Sequence, residues 1–111
     1  MAAKKLTIEQ RVARGVKFMN TEYGKEWLRR IDPEALALAS DSACVLGQVE
    51  GGFSIGVEKL KLANTDIAKL GFCLYYDDDD GYSKLTKAWK KSIVKLQKLF
   101  KIEPRKEQEV H

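Results

Sequence analysis

The stretch CVLGQVEGGFSIG, residues 44–56, is apolar enough to be buried, yet four of its thirteen residues are glycine. Gly47 and Gly51 are four positions apart, so on a helix they form one small-residue face that lets a second helix approach closely. Gly51 and Gly52 predict a tight turn, because glycine adopts positive φ without a steric penalty. Gly56 repeats the small-residue spacing after that turn. We therefore expect two short helices that cross closely at the centre of the fold.

Signals for the start of a helix precede this stretch. The sequence TIEQ matches a capping box, and the apolar residues that follow at helical spacing predict a helix over residues 8–20. Asn20 or Thr21 is the expected cap of a second, short helix that carries Trp27. The sequence DPE at residues 32–34 combines an aspartate cap with a proline in the first turn, so we expect one or two further helical turns in the ALALAS that follows.

Further elements are expected after the glycine-rich stretch. The sequence NTD at residues 64–66 predicts another helix start, and Gly71 predicts a left-handed end to that helix. The sequence FCLYY at residues 72–76 has the composition of a strand, but no second segment resembles a partner strand. We therefore expect an extended connection there rather than a sheet.

The C-terminal helix has the clearest pattern in the chain. Spacings of alternately four and three residues predict an apolar stripe that faces the core. The stripe consists of Leu85, Trp89, Ser92, Leu96 and Leu99. Together these elements predict an all-α fold, a compact single-domain bundle of about five helices with a long amphipathic C-terminal helix. We assign residues 1–103 to that domain and residues 104–111 to a polar, flexible tail.

Composition limits the class of protein. Apolar residues make up 44% and charged residues 32% of the 111 positions, as in ordinary soluble domains. No apolar run approaches the roughly 18–20 residues of a membrane span, and the N-terminus lacks an apolar signal segment. We therefore expect a cytoplasmic protein with no membrane partner. Cys44 and Cys73 are expected to be buried free thiols.

Catalytic and metal chemistry have few candidates. The single histidine is His111, so neither a Ser-His nor a Cys-His nucleophile pair can form within the domain. Two cysteines without nearby ligands do not supply the four ligands of a zinc site. We expect a non-enzymatic protein with no cofactor and no metal.

Basic residues are concentrated near the C-terminus. Residues 82–106 hold nine basic side chains and one acidic side chain. Five lysines fall within about a quarter of the circumference of the predicted helix, beside its apolar stripe. This lysine ridge consists of Lys84, Lys87, Lys91, Lys95 and Lys98. It is either a contact for nucleic acid or another anion, or a solvated face that keeps the protein soluble.

An acidic run lies immediately before that helix and consists of Asp77, Asp78, Asp79 and Asp80. One interpretation is a loop whose charge complements the N-terminus of the following helix. Another is an acidic patch that contacts a basic partner. A calcium loop fits poorly, because Lys87 stands where such a loop requires a glutamate.

The glycine-rich stretch also offers a candidate pocket for a small nucleotide, with Lys59 or Lys61 as an additional contact. It matches neither the phosphate-binding loop nor the dinucleotide fingerprint, and close helix packing is the alternative. The candidate pocket residues are Gly47, Gln48, Gly51, Gly52 and Phe53.

Short motifs recur in a fixed order along the chain: RVARG at residues 11–15, Trp27, RID at 30–32, CVLGQ at 44–48, Gly51, Gly56, Leu60, GF at 71–72, Tyr82, Leu85 and Trp89. In this order and spacing the chain resembles a group of small proteins encoded by bacteriophages of actinobacteria and other Gram-positive hosts. The resemblance covers roughly residues 11–93. The aspartate run and the lysine-rich C-terminal part are particular to this chain.

The resemblance implies a context for function. Small phage proteins without catalytic residues often act by binding, either to a host or defence protein or to a signalling nucleotide. We therefore expect a protein that inhibits a host factor, such as a component of a bacterial defence system, through the aspartates or the lysine ridge. The alternatives are a nucleic-acid-binding accessory protein that uses the lysine ridge and a sponge for a small signalling nucleotide.

Overall fold

The computed structural model describes residues 6–75, 78 and 81–105, and in these residues it contains six helices and no strand. The helices are α1 (Ile8–Tyr23), α2 (Glu26–Arg29), α3 (Val45–Glu50), α4 (Phe53–Lys59), α5 (Asn64–Lys69) and α6 (Tyr82–Leu99). The predicted all-α class and the long C-terminal helix are confirmed, with six helices where about five were expected. None of the described helices is both long and apolar enough to cross a bilayer.

The first helix begins as predicted and ends later. The Thr7 hydroxyl accepts from the Gln10 N–H at 3.0 Å, and the Gln10 side chain accepts from the Thr7 N–H at 2.8 Å. The helix then continues to Tyr23, so Asn20 lies inside α1 and does not cap α2. Its side-chain oxygen instead accepts from the Trp27 indole N–H at 2.8 Å. The predicted second helix is therefore reduced to the single turn α2.

The ALALAS segment forms turns rather than a helix. Two of its backbone donors bond outside the segment: the Ala37 N–H donates to the Ala43 carbonyl, and the Leu38 N–H donates to the Thr86 hydroxyl at 3.0 Å. These bonds replace the i to i−4 bonds of a helix. Leu36 and Leu38 are buried and attach the segment to the core.

The glycine-rich stretch folds into α3 and α4, as the sequence predicts, and the two helices pack on each other. A Cβ atom on Gly56 would lie 2.9 Å from the Leu46 Cβ, so this glycine sets the approach of α4 to α3. Gly51 ends α3 with a φ of 94°. The prediction for Gly47 needs correction: a Cβ there would meet the backbone of Asp41 and Ser42, so its close neighbour is a loop and not a helix.

The centre of the core lies where α6 crosses α1 and α2. The Trp89 ring stacks on Phe72 at a centroid distance of 5.6 Å and meets Trp27 edge-on at 6.4 Å. The Trp89 indole N–H donates to the Gly71 carbonyl at 2.6 Å, so its polar atom is satisfied inside the core. Gly71 has a φ of 76° and follows α5, as predicted, and the segment after it bends at Phe72 and Cys73 and forms no strand in its described part.

The buried face of α6 differs from the predicted stripe. The residues that are buried are Leu85, Trp89, Ile93 and Gln97, whereas Leu99 is 66% exposed. At about 100° per residue, the buried face is rotated by about 60° from the predicted stripe. Gln97 is buried because its amide donates to the carbonyls of Leu28 and Ile31 at 3.0 and 3.2 Å. The apolar pattern misses this face because one of its members is polar.

The tail predicted to begin at Pro104 has an anchor on the domain. The Arg105 backbone N–H donates to the Ile31 carbonyl at 3.0 Å, and its guanidinium donates to the Gln48 carbonyl at 3.3 Å. Arg105 therefore connects the end of α2 to α3. The rest of the predicted tail, residues 106–111, lies outside the described residues.

Candidate functional site

The lysine ridge lies directly opposite the core-facing side of α6. All five of its lysines are exposed. On a helical wheel at about 100° per residue, the centre of the ridge is about 180° from the centre of the buried face. The sequence predicted the ridge beside the apolar stripe, and the rotated buried face moves it to the outermost side of the helix. The ridge therefore faces away from the core.

Most of the ridge has no internal counter-charge. Within the part of the chain that the structure describes, Lys87, Lys91, Lys95 and Lys98 form no ion pair. The helix sequence contains no acidic residue, so the lysines spaced four apart repel one another by a few tenths of a kcal/mol per pair. Lys84 lies in the first turn, where the helix dipole disfavours a positive charge. A bound anion would relieve these unfavourable interactions.

The acidic run needs a correction at Asp78. This carboxylate forms a two-pronged ion pair with the Arg11 guanidinium, with N to O distances of 2.9 and 3.1 Å, and both side chains are only 3% exposed. It also accepts from the Tyr75 N–H at 2.6 Å. Asp78 therefore serves the fold and is not part of an exposed patch. Asp77, Asp79 and Asp80 lie outside the described residues.

The sequence interpretation missed the structural role of Arg11. This residue lies on the face of α1 that Ile8, Val12 and Gly15 share, and all four are buried. Its Nε atom donates to the Leu6 carbonyl at 3.0 Å, and the guanidinium lies 4.7 Å above the Tyr75 ring centre. The available signal was its helical spacing, because a cation on a buried face requires a carboxylate partner.

Three of the five candidate residues for the nucleotide pocket are buried in the fold. The Gln48 side chain is 5% exposed and bonds to the backbone of Asp32 and Ala43 at distances of 2.6 to 3.2 Å. The space at Gly47 is occupied by the neighbouring loop. Gly51 is exposed at the turn, and Gly52 is buried. Gly47, Gln48 and Gly52 are therefore part of the packed interior, and Gly51 forms the exposed turn.

The candidate lysines for that pocket lie at the end of α4 and beyond it. Lys59 donates to the Glu50 carboxylate at 3.1 Å, and Lys61 is exposed with a φ of 54°. The Tyr23 hydroxyl donates to the other Glu50 oxygen at 2.6 Å. This hydrogen bond, with help from Lys59, lowers the pKa of Glu50, while burial and the bond to Glu50 raise the pKa of Tyr23. Lys59 thus has a partner within the fold.

Phe53, the remaining pocket candidate, lines an apolar groove on another side of the molecule. The groove has a volume of about 410 Å³ and is lined chiefly by Leu38, Phe53, Ile67, Phe72, Cys73 and Tyr82. A second depression of about 430 Å³ shares Leu38, Ala39 and Tyr82 with it and extends to Lys87 and Lys90. The two depressions are therefore neighbours that together extend from apolar side chains to the start of the lysine ridge, and the pair is called the channel below.

Both cysteines are free thiols, as expected, but only Cys44 is buried, whereas Cys73 is partly exposed. Cys44 caps α3, and its sulfur accepts from the Gly47 N–H at 3.2 Å. Burial nevertheless raises the pKa of Cys44, so the N-terminus of α3 does not activate it. Burial also raises the pKa of Cys73, and the nearby Asp78 carboxylate adds to this effect. Each thiol therefore remains protonated at neutral pH and acts as a small apolar side chain.

No group of three or more His, Cys, Asp and Glu side chains is arranged to hold a metal ion in residues 6–75, 78 and 81–105. The resemblance to small phage proteins stays a prediction. No protein-family model, curated protein or solved structure matches this chain.

Proposed function

We propose that this protein is a non-enzymatic, phage-type binding protein that inhibits a host factor by docking the lysine ridge onto an acidic surface of that factor. The observation that carries the proposal is the placement of Lys87, Lys91, Lys95 and Lys98, exposed on the side of α6 opposite the core and without internal ion pairs. A component of a bacterial defence system is the kind of target that the phage resemblance implies.

The position of the ridge on a rigid helix supports recognition rather than solubility alone. Trp89 and Ile93 hold α6 in the core, so the lysines keep a fixed spacing. Lys87 and Lys98 are eleven residues apart, which corresponds to about 16 Å along the helix axis. Solvated helix faces commonly mix both signs of charge, and this face does not. An acidic partner surface of similar length would complement it.

The test is a tagged pull-down from an actinobacterial host lysate with mass spectrometry. The informative variant reverses three charges, Lys87→Glu, Lys91→Glu and Lys95→Glu. The matched control reverses Lys17, Lys61 and Lys69, which are exposed on other elements. Each set changes the net charge from +4 to −2, because three reversals each remove two positive charges. We expect the amount of captured host protein to fall at least about tenfold with the ridge variant and to stay unchanged with the control.

Inhibition is measured on the captured protein once it is purified. Wild-type protein is expected to reduce the activity of that host factor, and the ridge variant is expected to leave it unchanged. Equal capture by the two triple variants would rule out the ridge as the contact, since both carry the same net charge.

A second candidate function is nucleic-acid binding, because the same unpaired lysines can neutralise phosphates. That function requires an affinity that falls steeply with salt concentration through the release of counterions. A titration of labelled single- and double-stranded DNA at two salt concentrations separates the two functions. Tight binding that weakens with salt and disappears in the ridge variant would favour nucleic acid over a host protein.

A further inference from the structure

We infer that the apolar groove and the adjacent end of the lysine ridge together bind a short acidic protein segment that carries one large apolar anchor residue. This inference rests on the proposed function, because it names the part of the partner that the ridge recognises. In the expected complex the anchor enters the groove beside Phe53 and Tyr82, and the acidic residues continue to Lys87.

The groove suits an apolar side chain because most of its lining is apolar and three of its polar side chains already form hydrogen bonds within the fold, with Asn64 as a further polar member. The Ser40 hydroxyl accepts from the Ala43 N–H at 3.1 Å, and the Asp41 carboxylate accepts from the Phe53 N–H at 3.2 Å. The Tyr82 hydroxyl accepts from the Leu74 N–H at 3.4 Å. A polar ligand would compete with these internal bonds at three of the polar side chains, whereas an aromatic or leucine side chain needs no polar partner.

The size of the groove agrees with this occupant. Its volume of about 410 Å³ falls near the lower end of ligand sites, which span roughly 300–1,000 Å³. One large side chain with the backbone on either side is a suitable occupant. Aromatic anchors in such pockets commonly provide much of the affinity of protein–protein contacts.

The charges at the two ends of the channel set the direction of the segment. Asp41 lies at the apolar end and would repel a carboxylate, whereas Lys87 and Lys90 lie at the other end. Lys90 is paired with Glu34 at 3.3 Å, so Lys87 provides the unpaired charge. Acidic residues of the segment are therefore expected on the side of the anchor that faces Lys87, followed by Lys91.

The helix geometry gives the spacing. Tyr82 and Lys87 are five residues apart, which corresponds to roughly 7 to 8 Å along α6. An extended chain advances about 3.3 Å per residue, so the first acidic residue is expected roughly two to three positions after the anchor, with one or two spacer residues between them. The same features disfavour a nucleic-acid strand, because its phosphates would approach Asp41 and its bases would find few free hydrogen-bonding groups.

The probe that tests this inference is a fluorescein-labelled heptapeptide with one phenylalanine, a Gly-Ser spacer and four glutamates. A second peptide carries alanine in place of phenylalanine, and a third carries glutamine in place of glutamate. We expect the first peptide to bind and each altered peptide to bind at least about tenfold more weakly. In an NMR titration of the wild-type protein, the amide signals of Cys73, Tyr82 and Lys87 are expected to shift.

The protein variant that closes the groove is Ala39→Trp. Ala39 is exposed and lines both depressions, so a large side chain there fills the channel without removing a core contact. The matched control is Ala13→Trp, at an exposed position of α1. We expect Ala39→Trp to weaken the phenylalanine peptide at least about tenfold and Ala13→Trp to leave it unchanged.

The outcomes separate this inference from the proposed function. Equal binding of the phenylalanine and alanine peptides, or no effect of Ala39→Trp, overturns the inference that the groove binds the segment. The charge reversals in the ridge still test the proposed function in that case. Absence of binding by every peptide also overturns the inference. An oligothymidine that binds in their place and is weakened by Ala39→Trp would assign the groove to nucleic acid and overturn the inference. Loss of peptide binding in Ala39→Trp with a wild-type circular dichroism spectrum supports it.

Discussion

Two helix pairs in this protein reach close packing by different means. The pair α1 and α6 consists of long helices with large apolar side chains between them, centred on Trp89. The pair α3 and α4 consists of short helices that approach each other at Gly56, and α3 buries the aliphatic side chains of Val45, Leu46 and Val49. The first pair is stabilised mainly by burial of large aromatic rings, and the second by burial of aliphatic side chains together with close backbone fit and polar anchors.

The polar contacts that anchor the α3–α4 pair are made mainly with residues outside the pair. Gln48 reaches the backbone of Asp32 and Ala43, and Arg105 donates to the Gln48 carbonyl. Isolated helices of six or seven residues are unstable in water, so these contacts are necessary for α3 and α4 to persist. The comparison indicates that a short helix at the centre of a domain depends on its neighbours for its structure.

The largest expected effect is on the long pair. Trp89→Ala removes the stack on Phe72, the edge contact with Trp27 and the hydrogen bond to Gly71, so we expect a loss of about 3–5 kcal/mol in unfolding free energy. Urea denaturation followed by circular dichroism measures it. Phe100→Ala, at a partly exposed aromatic residue, is the control and is expected to cost at most about 1 kcal/mol. A loss below about 1 kcal/mol in Trp89→Ala would contradict the central role of this ring.

The difference between the two helix pairs also explains which features the sequence could predict. The capping box and the spacing of Leu85 and Trp89 placed the long helices, because periodic burial is a local property of the chain. The buried roles of Gln97 and Arg11 were missed, since each depends on carbonyl or carboxylate partners that only the folded chain brings near. The groove was not predicted from the sequence, because its walls come from elements that are distant in the chain; Phe53 was assigned instead to a nucleotide pocket with the neighbouring glycines.

An intermediate effect is expected in the short pair. Gly47→Ala would place its Cβ against the Asp41 carbonyl and 2.7 Å from the Ser42 carbonyl carbon, and neither backbone group can swing away as a flexible side chain does. We expect a cost of about 1–3 kcal/mol in thermal or urea unfolding. Gly52→Ala is the matched control, because its Cβ meets only side chains, at 3.3 Å or more, and it should cost less than about 1 kcal/mol. Equal losses of unfolding free energy at the two positions would show that the loop at residues 41–42 shifts to make room for the Cβ atom.

The smallest expected effect is a pH dependence at the contact between the two regions. The Tyr23 hydroxyl on α1 lowers the pKa of Glu50 on α3 below its ordinary 4.5, so the folded state binds that proton more weakly than the unfolded state does. The stability that Glu50 contributes above pH 4.5 is therefore lost as the pH falls below it.

Tyr23 has the opposite sign. Its pKa is raised above the ordinary value of 10.0, so the stability that it contributes below pH 10 is lost as the pH rises further. Unfolding free energies measured across pH test both effects. Glu50→Gln is expected to reduce the loss of stability at acidic pH, and Tyr23→Phe is expected to reduce the loss at alkaline pH. An unchanged loss at acidic pH in Glu50→Gln would assign that loss to other carboxylates.

The amide of Gln97 has a consequence for the order of folding during synthesis. It bonds to carbonyls that precede it by 69 and 66 residues, at Leu28 and Ile31. The ribosome releases these carbonyls long before α6 emerges. Until then Trp27 and the end of α2 are not packed against α6. The nascent chain is therefore expected to complete its core in one late step, when α6 leaves the exit tunnel, rather than helix by helix.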